Sequence, residues 1–529
     1  MDGDRLISAW DCCEAQKNLK KVWAKLCNVA PRASPSTIEA VYDTFWPRIK
    51  MAFDEAYPAI SHPNPFAPIV DSGYNARLRA AIDKNEDWIA NCWFAFEELV
   101  APIQRVRRRS DGFLEVIDFE RAVSITDGEL FRAAFNRYVI EQNSYRIKDY
   151  SIVHIDKNQI TGKPDLENDV KLSRVRVELL ELDRRRVEIE ENIVRLRAAL
   201  ANPYFPPDSP EEYYPPVDDF TLPENHVYEL RGGVARAGRL RQKGIVALKD
   251  IALSELECES HKIQVNCAKS GARHVNQPEL AKFIGKLKYP VSFLDFETFA
   301  TPWPLIVNCA PWQQIPFMFS LHVKESSRAT PNWFSYLHAS ASDPRESLVR
   351  NLLNVLPKEG TILAYNSQFE AERLNEIGEC FDHLGEQIAG VNARFEDLWA
   401  PFRSFHLYDP KKKGRTGLKA VYGAWIGDEY SKLAIANGEE ASAQYLRATY
   451  QLLGAVTTEE VARIHSQITQ YCKLDTAALP LILERIELES GVFSRGGIGN
   501  ETALQRHRDM RLAAEGTKER LTGQIQFSF

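Results

Sequence analysis

The pattern of apolar and polar positions is clearest in the second half of the chain. VSFLDFETF (291–299) is a short apolar run interrupted by two acids, the pattern of a buried central strand. FMFSLHV and NWFSYLH alternate, which predicts strands pairing with it as antiparallel neighbours. PRESLVRNLLNVL has helical apolar spacing, GTILAYN reads as another buried strand, and SQFEAERLNEI as the next helix. TEEVARIHSQITQYCKLDTAALPLILERIEL predicts a long closing helix, with Pro480 kinking it near Thr476. The order βββαβα…α describes a mixed sheet flanked by helices, an α/β class.

The first half alternates less regularly. FLEVIDFERAVSI predicts a strand, ELFRAAFNRYVIEQ a helix and YSIVHI a second strand, together an α/β unit. From Asp169 to Leu200, Leu, Val and Ile recur every three or four residues among charges, which predicts one long helix. It suits a coiled-coil arm or an amphipathic helix lying on its own domain. PYFPPDSPEEYYPP then breaks regular structure. The expected organisation is a first module over 1–168, helix and linker over 169–223, a connecting segment over 224–288, a second domain over 289–489 and a loose tail over 490–529.

Length agrees with several domains, since 529 residues exceed what one core serves. Apolar residues at 44% and charged residues at 26% are ordinary for a globular chain. No run of about 18 apolar residues occurs, which excludes an obvious membrane span. MDGDRLISAWDCCEAQ lacks a basic-then-apolar leader pattern, so the expected location is cytoplasmic. Nine cysteines at irregular spacing suit reduced thiols, and none forms the paired spacing of a structural zinc site. A net charge of −7 argues against an all-round basic coat but permits a local basic groove. Two clusters are candidates for one: Arg105 with Arg107–Arg109, and Lys411, Lys412, Lys413 and Arg415. The plainer reading of each is a solvated loop.

Asp295 and Glu297 lie two apart on one strand and leave the same face. Unpaired carboxylates on a buried face are costly or stay protonated, and a cation removes the difficulty. Glu370 begins the helix after TILAYN and can reach the same sheet end, while Asp475 lies on the closing helix one turn after Tyr471. Four carboxylates carry a charge of about −4, which two divalent cations would neutralise.

LDFET, YNSQFEAERL and YCKLDTAAL, in that order, resemble the three motifs of the DEDD 3′–5′ exonucleases, which have a ribonuclease H-like fold. Tyr471-x-x-x-Asp475 resembles the tyrosine subclass of that DnaQ-like superfamily, whose phenol positions the attacking water. The resemblance implies a hydrolase and phosphodiesterase acting on single strands or 3′ ends. It implies two Mg²⁺ or Mn²⁺ ions on Asp295, Glu297, Glu370 and Asp475, with Tyr471 completing the catalytic set. Glu370 departs from the pattern, because the family usually has aspartate there. Thr298 stands where the superfamily often contacts the terminal nucleotide, and its hydroxyl suits a local backbone contact equally well. Asn366 is a candidate for orienting Glu370 or substrate, or else simply ends a strand. Phe299, Trp303 and Trp312 could stack on bases, but packing is the reading we favour. His322 is expected to be structural, and Asp397 to support the site.

PWQQIPFMFSLHV and FEDLWAPF, with YCKLDT, further resemble a bacterial family that joins a RecB-like PD-(D/E)xK nuclease module to a DEDD domain. In such a module an upstream acid and a D/E-x-K strand bind metal, and a glutamine follows on the next helix. Here Asp118 takes the acid position, Glu120 replaces the lysine, VAPIQRVRRRS offers no upstream acid, and Asn136 replaces the glutamine. Cys12 or Cys13 could begin the cysteine set of an iron–sulfur cluster, but PPDSPEEYYPPVDDF supplies no further cysteine, so no cluster is expected. The first module is therefore expected to be a degenerate RecB-like unit, inactive and suited to binding nucleic acid or a partner.

Two other functions compete with an exonuclease: a degenerate nucleic-acid-binding scaffold, and a metal-dependent hydrolase of short oligonucleotides or nucleotides. Finally, Gln524–Phe529 (QIQFSF) resembles the hexapeptide that docks bacterial proteins on the DNA sliding clamp. Phe527 and Phe529 folding back on the protein is the simpler expectation.

Overall fold

The computed structural model describes residues 6–26, 36–61, 74–84, 87–158, 171–201, 224–232 and 243–492, with Ala237, Arg239 and Leu240 besides. The proposed clamp peptide and the proline-rich segment 202–223 lie outside them.

The first half is built on a seven-stranded sheet: β1 (Ile7–Ser8), β2 (Ile60–Ser61), β3 (Ile89–Phe96), β4 (Leu99–Arg108), β5 (Leu114–Phe119), β6 (Ile147–Ile155) and β7 (Leu172–Val177). β3, β4 and β5 are antiparallel neighbours, while β5 and β6 run parallel. The helix Asp127–Gln142 makes that parallel crossover, and a capping box of Thr126 and Glu129 starts it.

The expected long helix over Asp169–Leu200 is not what forms. Leu172–Val177 is a strand antiparallel to β6, and short and longer helices follow at Leu179–Asp183 and Arg186–Ala201. LSRVRV alternates, and its arginines find acids on the neighbouring strands: Arg174 pairs with Glu115 and Arg176 with Asp149. A charged edge strand of this kind carries no apolar stripe to separate it from a charged helix.

The segment 243–288 contributes the helices Glu259–Ser270 and Gln277–Ile284 and the strand β8 (His274–Val275). Val227, Leu230, Leu248, Ile251 and Val265 give this connecting region a small core of its own.

The second half holds β9 (Val291–Phe299), β10 (Ile315–Lys324), β11 (Asn332–Leu337), β12 (Ile362–Ala364) and β13 (Phe395–Asp397), in the spatial order β11-β10-β9-β12-β13. β14 (Leu407–Tyr408) pairs instead with β8. β10 is antiparallel to β9 and β11, as their alternation predicts, and β12 is parallel to β9 and β13. Mixed sheets flanked by helices make the chain α/β. Leu294 and Phe296 pack with the helices Arg345–Val355 and Ser367–Cys380. On the other face, Phe293 and Phe299 join two separate apolar clusters, leaving Asp295 and Glu297 between them. The closing helix Thr458–Ser490 runs continuously through Pro480 and buries Ile464, Ile468, Cys472, Leu479 and Ile486. Among the described residues no helix is long and apolar enough to cross a membrane.

Candidate active site

Strand alternation brings Asp295 and Glu297 to the face covered by the closing helix, and helical spacing brings Tyr471 and Asp475 to meet them. Glu297 is 6% exposed, Asp475 6% and Glu370 3%, while Asp295 keeps partial exposure to a pocket of about 390 Å³. The hydroxyl of Tyr430 donates to Asp475 Oδ1 at 2.6 Å, and Tyr471 lines the same pocket as Asp475. Glu370 Oε2 finds no hydrogen-bond partner among the described residues.

Burial pushes Asp295 well above the usual carboxylate range, and the charge of Asp475 pushes it further. Glu297 is raised by burial and then by Asp295 and Asp475, and Glu370 by burial and then by Asp295. Asp475 is raised by burial against the opposing effect of its two tyrosine hydroxyls. Buried acids that raise one another, one with an idle oxygen, lack a positive counter-charge of matching size. A divalent cation fits that deficit. Asp295, Glu297 and Cys472 can each bring one ligand atom within 4.8 Å of the others.

Three members of this site are not evident in the sequence. Cys472 donates its thiol to Asp295 Oδ2 at 3.5 Å. Tyr430 comes from a short turn far from either carboxylate motif. Lys419 lies 4.9 Å from the centre of the Tyr471 ring and donates to the Ala436 carbonyl, and its charge draws Asp295, Glu297 and Asp475 downward. Only the spacing of Cys472 on the closing helix hinted at its direction; for Tyr430 and Lys419 there was no local signal.

The expected supporting residues divide. Thr298 lines the pocket, but its hydroxyl donates to the side chain of Gln314 at 2.7 Å rather than to backbone. Asn366 does not line the pocket. It sits at φ +79°, where its side chain makes no cap, and its N–H donates to Asp397 Oδ1 at 3.0 Å. Its role is the left-handed turn that starts the Glu370 helix, a conformation asparagine tolerates. Asp397 also accepts from Trp399 N–H at 2.9 Å and thereby fixes that helix start. Phe299 and Trp303 are core residues, and His322 is buried, hydrogen-bonds Thr476 at 2.9 Å and is pushed down to about 3 by burial.

The lysine cluster needs correction. None of Lys411, Lys412, Lys413 and Arg415 lines the carboxylate pocket. Lys412 is 2% exposed, donates to the Leu407 carbonyl at 3.0 Å and lies against Phe402, Tyr408 and Trp425. Burial pushes its amine down to about 7, so it is packing, not a phosphate contact. Lys411, Lys413 and Arg415 are exposed. The arginine cluster is not a loop either: Arg105, Arg107 and Arg108 lie on β4, and the four arginines face Asp54, Glu115, Asp83 and Asp149 respectively. Acids so placed cancel the charge a phosphate track requires.

In the first half, Asp118, Glu120 and Asn136 do converge on a cleft of about 510 Å³. Asp118 accepts from Asn136 at 2.8 Å and from the Tyr150 hydroxyl at 2.9 Å, and burial, then Glu120, raises it to about 7. Arg132 grips Glu120 through two bonds of 3.0 and 2.8 Å. An acid that three donors already satisfy, beside one neutralised by an arginine, is a poor cation site.

Against known proteins, residues 292–417 are similar to a family described as a domain of unknown function, DUF2779. The matched stretch contains Asp295, Glu297 and Glu370, and the closing helix lies beyond it. No curated protein and no solved structure matches the chain.

Proposed function

We propose that the second half is a metal-dependent 3′–5′ exonuclease of ribonuclease H-like, DEDD type, acting on DNA or RNA. The observation that carries this reading is that Asp295, Glu297 and Asp475 line one pocket with Tyr471, while Glu370, buried outside that lining, is close enough to raise Glu297 and to be raised by Asp295. The strand order supports it, because the paired acids stand on the central strand of the sheet. Two Mg²⁺ or Mn²⁺ ions held by these four carboxylates would activate water and stabilise the charge that develops on the phosphodiester. Tyr471 orients the attacking water through its hydroxyl, and Lys419 offsets part of the cluster's charge. Burial of the acids between apolar clusters strengthens these interactions.

Incubating 5′-labelled single- and double-stranded DNA and RNA with Mg²⁺ or Mn²⁺ tests the reading. Tyr471→Phe keeps the ring and loses the hydroxyl, so trimming should slow by about 10²-fold or less with Mn²⁺ binding retained. Mn²⁺ binding lost in that variant would mean that the phenol serves the cluster's architecture instead.

The first half serves, on this reading, as an inactive binding platform. The Glu120–Arg132 pair supports the inactivity, since the residue standing in place of the module's lysine is an acid neutralised by an arginine. In protein carrying Asp295→Ala and Glu297→Ala, supercoiled plasmid should stay intact and a labelled 5′ end should not be degraded. Nicking of the plasmid would return catalysis to the front cleft.

A further inference from the structure

The carboxylate pocket is not built by the second half alone. Ile38 and Tyr42, both on the helix Thr37–Asp43 of the first half, form one of its walls. Thr298, Phe369, Gly438 and Glu439 line the same pocket, together with Asp295, Glu297 and Asp475.

Several contacts fix this wall. Val41 is 0% exposed, and Val41, Phe45 and Ile49 share one core with Phe299, Trp303 and Tyr445. Thr37 Oγ1 donates to Glu440 Oε1 at 3.3 Å, beside the start of the helix Gly438–Tyr450. The Tyr42 ring meets the Trp312 ring edge-on at 4.8 Å. Trp312 itself holds φ +61°, uncommon for a bulky side chain, and its N–H donates to the Thr301 carbonyl at 2.8 Å. A strained residue braced against a ring that lines the pocket points to a functional constraint.

We propose that this helix is the specificity wall of the site: Ile38 and Tyr42 restrict the pocket to one unpaired terminal nucleotide, whose base packs on the Tyr42 ring. The inference rests on the exonuclease reading and adds to its site two residues of the first half that choose between single-stranded and paired ends. About 390 Å³ lies near the small end of ligand pockets, which run from about 300 to 1,000 Å³. Such a space suits one nucleotide beside the acids. An aromatic face accepts any base, so the wall selects strandedness and not sequence.

The test uses the full chain and three readouts: Mn²⁺ binding, binding of AMP and dAMP with Mn²⁺ present, and steady-state trimming of a 5′-labelled single strand. Tyr42→Ala should weaken nucleoside monophosphate binding by about 5- to 100-fold, with most of the trimming loss in KM. Tyr42→Phe should restore both, and Mn²⁺ affinity should not change in either variant. Ile38→Ala, which leaves the tyrosine in place, should improve trimming of blunt duplex relative to single strand. A Tyr42→Ala protein that binds AMP and trims with the wild-type KM overturns the wall while leaving the exonuclease intact. Wild-type protein that binds no Mn²⁺ and trims no strand removes both readings together.

Discussion

Replacing Asp295 and Glu297 together by alanine should lower metal-dependent trimming by about 10³-fold or more and raise the melting temperature of the metal-free protein. The two effects have one origin. Both acids stand on β9 between apolar clusters, and each is raised by burial and by its acidic neighbours, so the empty site is a standing cost to the fold. Removing them relieves that cost and also removes the groups that hold the cations. Small voids left by the lost side chains offset part of the gain, so an increase of about 2 °C or more is the expected scale. A double variant that melts lower and still trims would show that these acids serve packing and that the chemistry lies elsewhere.

The second large effect is the response of stability to metal and pH. Carboxylates whose folded pKa lies above the unfolded value, about 3.9 for Asp and 4.3 for Glu, bind more protons folded than unfolded. Their stabilising contribution is complete below that unfolded range and is lost as pH rises through the raised folded values. The metal-free melting temperature attributable to the cluster should therefore fall from about pH 4 upward. Mn²⁺ binds the ionised forms, so its stabilisation should grow with pH, reaching about 2.7 kcal/mol at a hundredfold excess over Kd. Other groups titrate in the same window. Asp118 and Glu487, each raised to about 7, add to the decline, while Lys412, lowered to about 7, opposes it above that pH. The difference between wild type and the Asp295→Ala, Glu297→Ala variant isolates the cluster. Identical pH profiles for the two proteins, with or without Mn²⁺, would contradict the assignment.

Much of the second half was legible because its periodicities are strong. Alternation in VSFLDFETF put Asp295 and Glu297 on one face, and the four-residue spacing put Tyr471 beside Asp475. Those are local rules, and the structure obeys them. What the sequence concealed depends on contacts between distant segments. Tyr430 and Lys419 reach the acids only once the segment from Leu418 to Tyr430 folds against the closing helix. Tyr42 arrives from the other half of the chain. Lys412 sat in a run of three lysines that read as solvated, yet the turn Pro410–Lys412 aims that one side chain inward against three rings. Of the two roles open to Asn366 in the sequence, the structure shows the plainer one, a backbone turn just after a strand. The strand Leu172–Val177 was hidden by charge, because its arginines are satisfied by acids across the sheet and not by neighbours one helical turn away.

The most direct test of the central claim is the product pattern from a 5′-labelled single strand incubated with the wild-type chain and Mn²⁺. The account predicts a ladder of successively shorter labelled strands together with nucleoside 5′-monophosphates, both absent with chelator and in the Asp295→Ala, Glu297→Ala variant. Early release of the label as a mononucleotide, or an intact strand under every metal condition, would contradict it.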